Sequence, residues 1–235
     1  MVSITSRPAC RSGIAVGSTY EHRSSDPVSA PPRRRRRPRL AWSSTDGERL
    51  ELSGRVLANW TAKIANLLVE EVDAGPGTRV LIDVPVHWRS LVWVLGTWVT
   101  GATAVLDAGD GEGLVGDGAD PDVVVTTRPE RWLDECDVVT AVALPSFALR
   151  WPGTLPGAAL DGSADVAAQP DALGPLAPAS AGHPAIVSGG LSTSFAELAA
   201  GPASAQGLRE GTTAIELALA IEALTASSGV VGLRG

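Results

Sequence analysis

The residues able to do chemistry are few and dispersed. The three histidines, His22, His87 and His183, are too far apart for a metal motif. His87 follows Pro85 and opens an apolar run, so a surface or first-turn role is expected rather than that of a general base. Asp83 falls at the expected carboxyl end of a strand, where sites gather in α/β folds, but no base or nucleophile accompanies it in sequence. No Gly-x-Ser-x-Gly nucleophile elbow occurs. The acidic run at 109–120 lacks the ordered ligand spacing and bidentate Glu of a calcium loop, and reads as a solvated loop. Cys10 and Cys136 make no disulfide framework and read as free thiols of a reducing compartment. The seven Trp, with Trp88, Trp93 and Trp98 on one segment, read as core. No catalytic residue and no metal site are assigned.

These residues sit in a chain of 235 with 44% hydrophobic, 19% charged and 4% aromatic residues, which suits one sizeable globular core. The net charge of −7 conceals an asymmetry. Residues 1–40 hold nine arginines against Glu21 and Asp26, a net +7, and the remainder carries −14. An acidic body is a poor surface for phosphate backbones, so no nucleic-acid partner is expected. Residues 1–38 are rich in Arg, Pro and Ser, too poor in apolar groups to order themselves, and read as a disordered tail. The run Arg33 to Arg37 reads as a solvated leader more readily than as a site for an anionic partner. No signal-peptide core precedes it, and a cytoplasmic location is expected. Ser90 to Leu106 is free of charge but shorter than the roughly 20 residues of a spanning helix, so it reads as a buried helix followed by a buried strand, with no membrane span.

The elements follow from periodicity. Asp46-Gly47 between two short alternating runs marks a hairpin. Ser53 then caps a helix over 54–72, with Val56, Leu57, Trp60, Ile64, Leu67 and Leu68 on one face. That helix should stop before Gly75-Pro76-Gly77. Strands are expected at 80–84, 102–106, 123–126 and 138–144, and a helix at 87–100 that is apolar on both sides and therefore buried between layers. Gly101 should take the left-handed cap. The uninterrupted β-branched runs suit a parallel sheet covered on both faces. Residues 146–182 are dominated by Ala, Pro and Gly and read as a linker between an α/β lobe at 39–145 and a partial second lobe at 183–235. In the latter, Ala185 to Val187 reads as a strand, Ser194 to Glu197 as a capping box and Val230 to Leu233 as a final strand, with a strand and helix between Thr213 and Leu224. The helix, turn, strand, helix, Gly, strand order of the first half is echoed near the end, which suggests two successive crossover units in stacked or adjoining parallel sheets.

Leu52-Ser53, the run Gly75 to Val80, Pro85, Gly101-Ala102 and Leu106-Asp107 fall in an order that resembles the N-terminal region of the adenylate-forming superfamily, which includes acyl-CoA synthetases, luciferases and peptide-synthetase adenylation domains. The stretch Asp122 to Thr127 resembles the strand that precedes that family's phosphate loop, and the resemblance runs over roughly residues 39–234. It implies an α/β fold with mainly parallel sheets and flanking helices.

The order-matched phosphate loop is Ser188, Gly189, Gly190, Leu191, Ser192 and Thr193. It keeps two glycines and three hydroxyls but lacks the family's second glycine in register, its Pro and its Lys. The only lysine in the chain is Lys63, on the first helix. The stretch reads as a Gly turn into a capped helix, or as a weakened anion cradle. The family's adenine-binding segment and C-terminal domain are not matched, so a complete active site is not expected. The resemblance therefore implies a truncated, non-catalytic module that binds a small acyl or nucleotide ligand (ATP, AMP or CoA, weakly) or a protein partner. The alternatives are one half of a split synthetase completed by another chain, and an electrostatic scaffold working through the Arg tail.

Overall fold

The computed structural model describes residues 38–106, 120–177, 179–188, 191–200 and 231–234. The Arg-rich tail, the acidic loop at 109–120 apart from Asp120, and the elements expected between Thr213 and Leu224 lie outside the described residues.

The chain enters as a hairpin. β1 (Pro38–Ser43) and β2 (Arg49–Ser53) pair antiparallel, and β10 (Val231–Arg234) lies parallel on the other side of β1. At the hairpin turn Gly47 takes φ +95°, a conformation that Asp46-Gly47 offers cheaply. Ser53 caps α1 (Gly54–Val72) by accepting from the Val56 N–H. The helix ends where Asp73 turns left-handed, and the Asp73 and Ala74 amides close on the carbonyls of Val69 and Leu68. Of the expected apolar face, Leu57, Ile64, Leu67 and Leu68 are buried, while Val56 on the first turn is exposed.

A seven-stranded sheet forms the centre. It contains β3 (Arg79–Asp83), β4 (Thr103–Leu106), β5 (Val123–Thr126), β6 (Val138–Ala141), β7 (Leu160–Asp161), β8 (Pro184–Ser188) and β9 (Leu191–Ser194). Its order is β7-β6-β5-β3-β4-β8-β9, parallel except for β9 at one edge. Alternate residues divide the strands between two cores. Val80, Ile82, Ala104, Leu106, Val123 and Val125 pack toward α1 and α2 (Trp88–Thr100), and Leu81, Val105, Val124 and Val139 pack with Trp132 and Ala159 on the other face. Burial on both faces explains why these strands lack polar alternation.

Helix α2 is the buried layer that its two apolar faces predict. Trp88, Leu91, Val92, Trp93 and Val94 are all almost fully covered. A Cβ added at Gly96 would lie 2.3 Å from Ile64 Cγ2, so the glycine sets the close approach of α1 and α2. Gly101 takes the left-handed cap at φ +83°.

Residues 146–182, expected as a linker, carry structure. β7 extends the sheet and α3 (Ala164–Ala168) follows it. The segment is held to α1 by side chains that its own composition does not reveal. Asn66 donates to the carbonyls of Pro170 and Ala172 and accepts from the Gly174 amide, while Lys63 donates to the carbonyls of Ala167 and Gln169 and pairs with Asp171 at 3.2 Å. β8 hydrogen-bonds directly to β4, so one sheet runs across the expected boundary between lobes. The strand expected at 138–144 ends at Ala141, and Val142 continues only through one amide to the Thr126 carbonyl. After β9 comes α4 (Phe195–Ala200), with Ser194 and Glu197 exchanging the hydrogen bonds of a capping box. No helix among the described residues is long and apolar enough to cross a membrane.

Candidate functional site

In a parallel sheet, ligands meet the carboxyl ends of the strands, above all where successive connections leave a strand in opposite directions. Here that place is β3: the chain passes from β3 to β4 on one side, then returns to β5 on the other. Asp83 ends β3 and stands in register with Thr126 at the end of β5. Asp83 is buried and fully engaged. Its Oδ2 accepts from Thr126 Oγ1 at 2.7 Å and from Trp132 Nε1 at 2.9 Å, and its Oδ1 accepts from Arg128 Nη2 at 2.8 Å. Thr126 Oγ1 in turn accepts from the Arg128 amide. Every acceptor is committed to a neighbour, so Asp83 ties β3, β5 and the turn at Pro129–Arg131 together instead of standing ready as a base.

The β8–β9 connection occupies the same carboxyl edge, two strands from β3, or about 10 Å at the usual strand spacing. Ser188 pairs with Leu191, leaving Gly189 and Gly190 between them, the length of the shortest hairpin loops. Both glycines lie outside the described residues. Ser188 and Thr193 are buried and Ser192 is exposed. Ser192 and Thr193 are neighbours on a strand and point to opposite faces, so both hydroxyls cannot face one ligand. Lys63 does not reach this turn, being committed on α1 to the 167–171 segment.

A third cluster surrounds the start of α2, and sequence reasoning found only its histidine. His87 is not a surface group but the buried N-cap of α2: Nδ1 accepts from the Arg89 amide at 3.1 Å. The His87 amide donates to Ser90 Oγ, whose hydroxyl donates to the His87 carbonyl. The imidazole packs edge-on against Trp42 of β1, with 4.3 Å between ring centroids. Arg89 is buried beside it. Its Nη2 donates to the carbonyls of Pro145, Ser146 and Ala148, and its guanidinium lies over the rings of Trp88 (4.6 Å) and Trp60 (5.7 Å). Trp88 Nε1 donates to Ser146 Oγ, and the Ser146 amide donates to Glu48 Oε1. Burial pulls His87 down to about 4, helped by the Arg89 charge and opposed by Glu48. Burial also pulls Arg89 down to about 10, again opposed by Glu48. Histidine 87 is therefore neutral at pH 7, with Nδ1 as acceptor and the proton on Nε2. The local signal was the run His87-Trp88-Arg89-Ser90, which has capping-box spacing and two aromatic partners for a cation, but Trp42, Glu48 and Ser146 join it only through the fold.

His183 is exposed just before β8, and His22 lies outside the described residues. Among the described residues no group of three or more His, Cys, Asp or Glu could hold a metal ion.

The sheet order, the buried crossover helix and the parallel strands define a mainly parallel α/β protein whose fold is shared with part of solved acyl-CoA synthetases. Its solved neighbours include an acyl-CoA synthetase from Brucella canis (TM-score 0.64, 18% identity, 85% of this chain and 40% of that one). Acetoacetyl-CoA synthetase from Streptomyces lividans aligns with TM-score 0.63 at 17% identity, over 86% of this chain and 36% of that one. An amide bond synthetase mutant from Marinactinospora thermotolerans aligns with TM-score 0.57 at 16% identity, over 84% and 41%. The chain thus spans about 40% of the length of such enzymes. In sequence it is similar to a "TIGR03089 family protein" of Mycobacterium tuberculosis (strain ATCC 25618 / H37Rv), with 48% identity over 71 residues. That stretch is 30% of this chain and 29% of the relative, so the two chains are of nearly equal length. No protein-family model matches the chain.

Proposed function

We propose that this chain is a non-catalytic module built on part of the adenylate-forming fold, serving to bind a small acyl or nucleotide ligand or a protein partner. The observation that carries this reading is the register of the β8–β9 hairpin. Ser188 pairs with Leu191, which reduces the order-matched phosphate loop to a two-residue turn without a lysine. Adenylation gathers negative charge on phosphates, and preorganised cations and donors are its largest source of rate. A two-glycine turn offers at most a few backbone amides. Of the order-matched residues Ser188, Gly189, Gly190, Ser192 and Thr193, the exposed Ser192 hydroxyl and the backbone amides at Gly189 and Gly190 are accordingly proposed as a weak anion contact, with buried Ser188 and Thr193 on the opposite face. The cytoplasm is proposed as its compartment.

The test is carboxylate-dependent ATP–pyrophosphate exchange by the purified chain across short, long and aromatic acids. No exchange above background is expected, while AMP, ATP or CoA should raise the melting temperature if one of them is the ligand. Robust exchange lost in a Ser192→Ala, Thr193→Ala variant would overturn the reading. The second reading, one half of a split synthetase, draws on the 36–41% share of the neighbouring enzymes that this chain spans. It requires exchange that appears when a co-purifying chain is present and is absent without it.

A further inference from the structure

The start of α2 carries three nitrogen donors that no group among the described residues satisfies. His87 Nε2, Arg89 Nε and Trp42 Nε1 are all buried without a hydrogen-bond partner among those residues. Their residues are only 4%, 3% and 5% exposed. They belong to one run of touching side chains, in which Trp42 packs on His87, His87 on Trp88 at 5.8 Å, and Trp88 under Arg89. With Nδ1 of His87 accepting the Arg89 amide, Nε2 must be the N–H of the neutral ring, so all three orphans are donors. A buried donor left unmet is costly, and three in one cluster are rare in a folded core.

Internal contacts do not account for them. The edge-to-face contact of Trp42 and His87 can aim only one N–H at a ring. The stacking of Arg89 on Trp88 and Trp60 stabilises its charge through the ring faces but leaves the in-plane Nε–H unmet. The nearby carbonyls of Pro145, Ser146 and Ala148 are taken by Arg89 Nη2, and Glu48 Oε1 is taken by the Ser146 amide. Arg89 has no carboxylate in ion-pair contact among the described residues, although it lies in the first turn of a helix whose amino end already carries partial positive charge. Three donors, a single cation and a helix amino end all call for an acceptor of negative charge. With Glu48 already opposing the Arg89 charge, no ligand of more than one negative charge is favoured, and flat indole walls suit a planar one.

We propose that His87, Arg89 and Trp42 form a binding site for a small planar monoanion, a carboxylate group in chemical terms, at the amino end of α2. This site is separate from the β8–β9 turn and goes beyond the function proposed above, on which it does not depend. Glu48 borders it and competes with the ligand for the Arg89 charge.

The full-length chain, labelled with 15N, would be titrated at pH 7 with sodium formate, acetate and nitrate, against chloride and sulfate at matched ionic strength. Indole and imidazole N–H signals would be followed, with Trp42 assigned from Trp42→Phe. The expected result is a saturable downfield shift of the Trp42 indole and His87 Nε2 signals with planar monoanions, and a much smaller effect of sulfate. Trp42→Phe keeps an aromatic side chain and removes one donor to a charged acceptor, so affinity should fall about tenfold. Glu48→Gln should raise affinity several-fold by removing the competing charge, and both variants stay informative if changes at Arg89 prevent folding. The absence of any saturable shift up to about 0.1 M anion, an equal response to chloride, or weaker binding in Glu48→Gln would each overturn the proposal. The readout is independent of nucleotide binding and of pyrophosphate exchange, so failure here leaves the proposed function standing, and the reverse also holds.

Discussion

Replacing Gly96 by alanine should destabilise the protein, although alanine is the better helix former by roughly 1 kcal/mol. The added Cβ would lie 2.3 Å from Ile64 Cγ2 and 2.7 Å from Ile64 Cβ, where ordinary carbon contacts are about 3.5–4.0 Å. Ile64 is itself buried and stiff about χ1, so relief requires moving α1 against α2 by more than an ångström. Overpacking costs about 1–3 kcal/mol, and a clash this deep belongs at the top of that range. The net loss is then about 2 kcal/mol, or about 4–8 °C in Tm for a chain of this size. Urea unfolding followed by tryptophan fluorescence would measure it. Ile64→Val leaves both branches at Cβ and should relieve nothing. Ile64→Ala removes the nearer clash, so the double mutant should show a favourable coupling of about 1 kcal/mol. A Gly96→Ala protein as stable as the parent, or a coupling near zero, would show that the two helices do not approach as closely as described.

Two further outcomes concern the buried polar groups. Asp83→Ala leaves Thr126 Oγ1 and Trp132 Nε1 without an acceptor in a buried setting and should cost about 3 kcal/mol, with Asp83→Asn costing less because its carbonyl oxygen still accepts; a loss in Asp83→Ala below about 1 kcal/mol in chemical denaturation would count against the tie. The lowered pKa of His87 means that the unfolded chain takes up the proton first, so stability should be full above pH 6.5, fall as pH drops toward about 4 and level below it. His87→Asn keeps a capping side chain without titrating, and the difference between the two stability–pH curves should contain that fall. Parallel curves between pH 6.5 and 4 would refute it.

Elements whose signals are local were legible in the sequence. The α1 boundaries follow from Ser53 and from the Gly75-Pro76-Gly77 stop, and the parallel strands follow from β-branched runs that tolerate no water on either face. The 146–182 segment was not legible, because Ala, Gly and Pro carry no periodicity and its anchors, Lys63 and Asn66, sit on a distant helix. The antiparallel turn into β9 was also hidden. Ser188 to Thr193 read as a Gly turn into a capped helix, or as a weakened anion cradle, and only the pairing of Ser188 with Leu191 reveals the strand between turn and helix. At the α2 start, His87 was legible but its surroundings were not, since Trp42, Glu48 and Ser146 reach it across long stretches of chain. Burial there depends on tertiary neighbours, which no local pattern encodes.

The parallel pairing of β1 with β10 has a consequence for how the molecule is made. Leu40 is among the first residues of the described body to leave the ribosome, and its partner Val231 is among the last. Until then β1 can hold only its hairpin partner β2, and its other edge presents free amides and carbonyls to any passing strand. Contacts this distant in sequence form slowly, after the loop between them has been closed. The nascent chain therefore waits with one seam open until β10 has emerged to seal it.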